Sequence, residues 1–226
     1  MKNNYVEHPW LKDYPILPKH KHLIIGTHPP MPYNGKIHFY YGNMNEFWRF
    51  LERAYGESIF FNSQGQPELN SILNWLDNKD IALTDMLQYT CNSFSTDTEM
   101  EINSDEQFNQ DLQLWLENSN IENIFFTSFS NGKSAYGLFR KWYKKTFRIR
   151  LPDGKEVIDQ GNSINIEING RKIRLFMLYS PSPAARRGIP SSLPFIKWLS
   201  LNPTLEIPTD AFRIYWYKEY FKSIVN

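Results

Sequence analysis

The chain has 226 residues, a formal net charge of +1, 41% hydrophobic residues and 22% charged residues. This length and composition predict a single globular domain over residues 1–226, which buries about 70% of the surface that the unfolded chain exposes. A net charge so close to zero excludes the strongly basic class of nucleic-acid-binding proteins, although a narrow basic strip remains compatible with it. The single cysteine, Cys91, excludes a disulfide framework and a four-cysteine iron–sulfur cluster.

The apolar runs bear on the cellular location of the protein, and the histidines bear on whether it binds a metal. No apolar run approaches ~18 residues, and the first residues lack a signal-peptide core, so we expect a cytoplasmic protein without a membrane partner. The five histidines all lie in the first fifth of the chain. His20 and His22 are spaced to share one strand face, but no second cluster completes four ligands. We therefore expect no metal and no cofactor. We also expect a monomer.

Strands and helices alternate along the chain. In chain order the pattern predicts strand 22–27, helices 45–55 and 67–76, strand 81–86, helix 108–117, strand 121–128, helix 131–145, strands 164–168 and 172–179, and helices 193–201 and 211–224. Asn169-Gly170 is typical of the tight turn of a hairpin. The polar segment 146–161 is predicted to be an exposed excursion. Strands separated by helices predict a largely parallel sheet that is covered on both faces.

Two of these strands run into loops that proline stiffens. Leu23-Ile24-Ile25 is followed by Gly26-Thr27-His28-Pro29-Pro30, and Leu175-Phe176-Met177-Leu178-Tyr179 is followed by a serine- and proline-rich loop with two arginines. Binding sites of open α/β sheets lie at the carboxyl ends of such strands. We therefore expect the loops after Ile25 and Leu178 to face one cleft.

These loops carry a family resemblance. Gly26-Thr27-His28-Pro29-Pro30 and Ser180-Pro181-Ser182-Pro183-Ala184-Ala185-Arg186 resemble the two signature loops of the uracil-DNA glycosylase superfamily. The hypoxanthine-DNA glycosylase and mismatch-specific uracil glycosylase branches are the most similar, through Tyr40-Tyr41, Asn45-Glu46-Phe47-Trp48 and Ile81-Ala82-Leu83-Thr84-Asp85-Met86. The resemblance implies a three-layer α/β/α sandwich with a central, largely parallel four-stranded sheet. It also implies a DNA-repair glycosylase that removes a deaminated base, hypoxanthine or uracil, from damaged or mismatched DNA.

Two positions depart from the pattern of the superfamily. His28 stands where double-strand uracil glycosylases usually carry asparagine, and Tyr179-Ser180 stand where the best-known uracil enzymes carry histidine. Neither loop contains a lysine that would serve as an amine nucleophile, so we expect a monofunctional enzyme. A non-catalytic nucleic-acid-binding protein that keeps the fold is the main alternative. An enzyme acting on a small molecule is a third, because fold does not fix function.

Candidate catalytic residues follow from the reaction. Breaking an N-glycosidic bond builds positive charge on the deoxyribose and negative charge on the leaving base, so a carboxylate or an oriented water is needed near C1′. Asp85 ends an otherwise apolar strand, and the resemblance implies that it is the catalytic group; a helix cap or structural role is the alternative. His28 either hydrogen-bonds the loop backbone or contacts water or the base.

The remaining candidates would contact the base or the DNA. The resemblance implies that Tyr40 or Tyr41 stacks on the flipped base. Thr27 and Asn45 are further candidates for a contact with the base. Core packing of the tyrosines and helix capping by Asn45 are the alternatives. The second loop is expected to contact phosphates and the minor groove, and a helix amino terminus near Lys133 is suited to a phosphate. The predicted DNA contacts are Ser180, Ser182, Arg186, Arg187 and Lys133.

Overall fold

Seven strands and eight α-helices make up the computed structural model, which describes residues 5–42, 46–130, 132–203 and 206–226. The strands are β1 (Val6–Glu7), β2 (His22–Gly26), β3 (Ile81–Asp85), β4 (Tyr89–Thr90), β5 (Asn123–Phe126), β6 (Ser163–Ile168) and β7 (Arg171–Met177). The helices are α1 (Phe47–Tyr55), α2 (Leu69–Asn78), α3 (Leu112–Asn118), α4 (Ala135–Phe147), α5 (Gly154–Asp159), α6 (Leu193–Leu201), α7 (Pro208–Tyr217) and α8 (Ser223–Val225). None of the helices in these ranges has the length and apolarity needed to span a bilayer.

The central sheet has five strands in the order β3-β2-β5-β7-β6. The first four are parallel to their neighbours, and β6 pairs antiparallel with β7. The predicted largely parallel sheet is confirmed, but the predicted number of four strands is wrong. The hairpin supplies the fifth strand: Asn169 (φ 50°) and Gly170 (φ 73°) form a tight turn that folds β6 back onto β7.

Helices cover both faces of this sheet. Neighbouring residues of a strand point to opposite faces, and Phe125 and Phe126 of β5 show what lies on each side. The Phe125 ring meets Phe221 in the carboxy-terminal helical segment, with ring centroids 4.9 Å apart. The Phe126 ring meets Tyr136 and Phe139 of α4 at 5.1 and 4.9 Å. The predicted three-layer arrangement is therefore present around β5.

The segment predicted to be an exposed excursion contains α5 instead. Asp153 and Glu156 form a capping box at its start, in which each side chain accepts a hydrogen bond from the backbone of the other residue. Val157 is fully buried and Ile158 nearly so. Segment 146–161 is polar overall, but Val157 and Ile158 anchor this short helix to the core.

The parallel strands bring distant loops to one edge. Gly26 at the end of β2 lies opposite Asp85 at the end of β3, and β5 joins β2 to β7 with the same direction. The loops that follow β2 and β7 therefore leave from the same edge, as the sequence predicts. The backbone N–H of Glu46 also donates to the carbonyl of Pro181 at 3.3 Å, which ties the entry of α1 to the second loop.

A small second sheet fixes the amino-terminal segment. Strand β1 pairs antiparallel with β4, with Val6 opposite Thr90 and Glu7 opposite Tyr89. The backbone N–H of His8 extends this pairing by donating to the carbonyl of Gln88 at 2.8 Å. Because β4 follows β3 closely in the chain, this pairing places His8 beside the carboxyl end of β3.

Candidate active site

Asp85 lies at the carboxyl end of β3 and contacts a buried histidine. Its Oδ2 is 2.9 Å from Nε2 of His8, and the side chains of His8 and Asp85 are 1% and 8% exposed. The backbone N–H of Trp10 donates to Nδ1 of His8 at 3.4 Å. Nδ1 is thus the acceptor nitrogen, which leaves Nε2 to carry the proton and donate it to the carboxylate. This hydrogen bond orients the Asp85 carboxyl group.

The sequence did not single out His8. It lies 77 residues from Asp85, in a segment without a motif, and only the pairing of β1 with β4 brings the two together. A two-residue strand leaves no periodic signal. No feature of the sequence near His8 predicts this contact.

Gly26 allows the Asp85 carboxyl group to occupy its position. A Cβ at Gly26 would lie 2.2 Å from Oδ1 of Asp85 and 2.9 Å from the hydroxyl of Tyr41, both closer than real Cβ contacts. The carboxyl group and the phenol therefore converge over the bare Cα of this residue. Glycine is required here for close approach rather than for an unusual backbone conformation.

Tyr40 and Tyr41 have different surroundings. Tyr40 is buried among aromatic rings and lies 5.6 Å from His8 between ring centroids, as expected of a core residue. Tyr41 is half-buried, stacks on Phe47 at 4.1 Å and shares a hydrogen bond of 3.1 Å with Thr127. Burial, and then the charge of Asp85, raises the pKa of both phenols well above the ordinary value. Both tyrosines are therefore neutral hydrogen-bonding groups at the site.

His28 is buried and held neutral. Its Nδ1 lies 2.8 Å from the carbonyl of Pro29, so this nitrogen donates and Nε2 is an acceptor. Burial first, and then the neighbouring His8, lowers the pKa of His28 to about 4. Nε2 is buried without a hydrogen-bond partner among the described residues. The predicted backbone contact is therefore present.

A second carboxyl group, Asp97, lies near Asp85. The Thr27 hydroxyl donates to its Oδ1 at 3.0 Å. Burial, and then the charge of Asp85, raises the pKa of Asp97 to about 6, although the hydrogen bond from Thr27 opposes this shift. Thr27 thus holds a side chain of the site. The sequence analysis missed Asp97 because it lies in a polar loop without a motif.

Lys133 fixes the loop that carries Asp97. Its Nζ donates to the carbonyl of Thr98 at 2.8 Å and to that of Met100 at 2.6 Å. These contacts brace the short 3-10 helix Asp97–Glu99. The structure shows a structural contact for Lys133, and its predicted contact with a phosphate stays a prediction.

A buried arginine organises the second loop. Nη1 of Arg213 donates to the carbonyls of Ser180 and Ser182 at 2.8 and 3.1 Å, and its guanidinium also pairs with Asp210. Asp210 additionally accepts two hydrogen bonds from Arg186, at 3.1 and 2.6 Å. Arg213 is fully buried, so the loop conformation depends on a residue that the sequence analysis did not select.

The other predicted DNA contacts are less constrained. The Ser180 hydroxyl accepts from the backbone N–H of Ser182 at 3.3 Å. Arg187 is exposed and forms no ion pair with the described residues. Asn45 lies outside the described residues. The structure therefore brings together Asp85, His28, Thr27, Tyr40 and Tyr41 and places the second loop at the same edge of the sheet.

One recess of the structure lies away from these carboxyl groups. A recess of about 320 Å³ is lined by residues of α2, β3 and the preceding loop, among them Leu73, Leu76 and Leu83. It is mostly apolar and includes none of the carboxyl groups described above. The described residues contain no group of three or more side chains suited to hold a metal ion.

Comparison with known proteins gives a distant structural likeness. The chain is similar to a solution NMR structure of a protein from Methanosarcina acetivorans that is provisionally named a uracil DNA glycosylase. The two share 19% sequence identity over 90% of this chain and 93% of the other, with a TM-score of 0.47. No family model and no curated protein matches the chain.

Proposed function

We propose that this protein is a monofunctional DNA glycosylase that hydrolyses the N-glycosidic bond of a deaminated base, hypoxanthine or uracil, flipped out of DNA. The observation that carries the proposal is the Asp85 carboxyl group, held by buried His8 at the sheet edge from which both resembling loops leave. The sequence resemblance supports the substrate class. The site geometry supports the chemistry.

Asp85 has one oxygen fixed and one available. His8 donates to Oδ2, whereas no described residue hydrogen-bonds Oδ1. A carboxylate in this state suits either of two tasks at C1′: it accepts a proton from an attacking water, or it stabilises the positive charge that develops on the sugar. Its burial strengthens both effects, because charges interact more strongly away from water.

The composition of the two resembling loops supports hydrolysis by water. Neither 26–30 nor 180–186 contains a lysine. An amine nucleophile, which a bifunctional enzyme requires, is therefore not supplied by either loop. We therefore propose that water is the nucleophile and that an abasic site is the product.

DNA contact is proposed for the second loop. Arg187 is exposed at the end of the short helix Pro183–Arg187, next to Arg186 and close to the carboxyl edge of the sheet. Arginine side chains in such a position suit phosphate oxygens, which supply most of the non-specific affinity for DNA. A contact strip of this kind is compatible with a net charge of only +1.

The test is base excision from labelled duplex oligonucleotides that contain uracil, hypoxanthine, xanthine or mismatched thymine. We expect single-turnover excision of at least one deaminated base, reduced ~10²-fold or more in Asp85→Asn because a positioned acid–base group is lost. Asp77→Asn is the matched control, since Asp77 is exposed on α2 and lies at the opposite end of β3. Binding to these duplexes without any excision would instead support the non-catalytic alternative.

A further inference from the structure

Asp97 is half-buried beside the proposed catalytic group and has no role in the steps above. Thr27 donates to its Oδ1, and no described residue hydrogen-bonds Oδ2. Thr27 directly follows Gly26, whose partner across the sheet is Asp85. The two carboxyl groups therefore share the carboxyl edge of the sheet, and each has one oxygen fixed and one available.

The loop around Asp97 is fixed in place. Lys133 binds the carbonyls of Thr98 and Met100, and the Glu99 carboxylate accepts the backbone N–H of Ser95 at 2.8 Å. With Thr27 holding Oδ1 as well, the Asp97 side chain is preorganised. Catalysis by a carboxyl group benefits from preorganisation of this kind.

We infer that Asp97 is the general acid of the proposed reaction and that the base it releases is a purine, protonated at N7. This inference rests on the proposed function and specifies its substrate. As the bond between C1′ and N9 breaks, its electron pair moves to the base and Asp97 gives its proton to N7. The water oxygen bonds to C1′ and a water proton passes to Asp85. One water is consumed, and solvent then returns Asp97 and Asp85 to their starting protonation states.

A proton donor must be protonated when the substrate binds. Burial raises the pKa of Asp97 to about 6, with the charge of Asp85 adding to the shift. Tyr41 also faces this group but is neutral, and the Lys133 ammonium is directed at backbone carbonyls. Purine N7 is a ring acceptor, whereas uracil has no corresponding ring nitrogen. A carboxylic acid at this position therefore favours the purine of the two proposed substrates.

The test compares duplexes that contain hypoxanthine with duplexes that contain 7-deazahypoxanthine, in which carbon replaces N7. We expect the wild-type protein to excise hypoxanthine ~10²-fold faster than the deaza base in single turnovers. Asp97→Asn should lose a similar factor on hypoxanthine and little on the deaza base, since both changes remove the same proton transfer. Glu101→Gln changes an exposed carboxylate two residues beyond the short helix; it is the matched control and should keep the wild-type rates.

The pH profile gives a second readout. The wild-type rate should fall as the pH rises through about 6, where Asp97 loses its proton. This descending limb of the pH profile should be absent from Asp97→Asn. Thr27→Val covers the case in which Asp97→Asn fails to fold. Because the hydrogen bond from Thr27 lowers the pKa of Asp97, its removal should move the limb to higher pH.

Each negative result would overturn a different part of the proposal. Equal excision of both bases by the wild-type protein, wild-type rates in Asp97→Asn, or a limb that Thr27→Val leaves unmoved would overturn the role of Asp97 while leaving a working glycosylase. Excision of uracil but not hypoxanthine would overturn the purine assignment. A wild-type protein that excises none of the bases would overturn the proposed function itself.

Discussion

Gly26→Ala tests whether the position of the Asp85 carboxyl group matters for the reaction. The added Cβ would lie 2.2 Å from Oδ1 of Asp85 and 2.9 Å from the Tyr41 hydroxyl, whereas ordinary contact begins near 3.4 Å. The carboxyl group must therefore shift by about 1 Å, and a misplacement of that size costs up to ~10²-fold in rate. We expect a loss of this order in the single-turnover rate constant.

The same substitution should leave the protein folded. Overpacking of this kind costs about 1–3 kcal/mol, and each kcal/mol lowers Tm by about 2–4 °C for a chain of this size. Gly132→Ala is the matched control, because among the described residues its Cβ would meet only the Lys141 side chain, at 3.6 Å or more. The measurements are single-turnover excision and thermal unfolding followed by circular dichroism. Full activity in Gly26→Ala, with an unchanged Tm, would refute the argument that this carboxyl group is positioned for catalysis.

Three further predictions concern the groups around this centre. His8→Ala removes a hydrogen bond to a charged group, worth about 2 kcal/mol, so both Tm and the single-turnover rate should fall, while the exposed His38→Ala changes neither. The pKa shifts of Asp97 and His28 should change the free energy of unfolding with pH in opposite directions. The raised pKa of Asp97 lowers stability as the pH rises from about 4 to 6, whereas the lowered pKa of His28 raises stability from about 4 to 6.5. Asp97→Asn should therefore gain up to about 3 kcal/mol relative to wild type between pH 4 and 6, measured by denaturant unfolding; a constant difference would contradict the raised pKa of Asp97. Arg187→Ala should flatten the log–log salt dependence of binding to abasic DNA by ~0.9, an effect absent if Arg187 is merely solvated.

The sequence predicted the sheet well because buried parallel strands are read directly from apolar runs. Strands β2, β3, β5 and β7 each contain such a run, and β2 and β3 end at Gly26 and Asp85. The fifth strand was predicted as half of a hairpin, yet the expected sheet had only four strands. The antiparallel edge pairing of β6 with β7 accounts for the difference. The turn at Asn169-Gly170 adds this fifth strand to the sheet, because a two-residue turn makes the two strands that it joins pair with each other.

The candidate site was only partly predictable. Asp85 and Thr27 stand at the carboxyl ends of parallel strands, where the binding sites of open α/β sheets lie. His8 and Asp97 reach the same edge from a two-residue strand and a three-residue 3-10 helix, which leave no periodic signal. The structural contacts of Lys133 and Arg186 were also not predicted. Their partners, the Thr98 carbonyl and Asp210, are distant from them in the sequence.

The supports of both loops come from outside the stretch that carries the family resemblance, which runs from roughly residue 20 to residue 200. His8 fixes the Asp85 carboxyl group from the amino-terminal side, and Arg213 fixes the second loop from the carboxy-terminal side. Each is almost fully buried and contacts a polar group that would otherwise lose its partner, which makes each contact costly to remove. The geometry of the proposed site therefore depends on both ends of the chain. A segment trimmed to the resembling stretch would retain the motifs but lose the contacts that orient them.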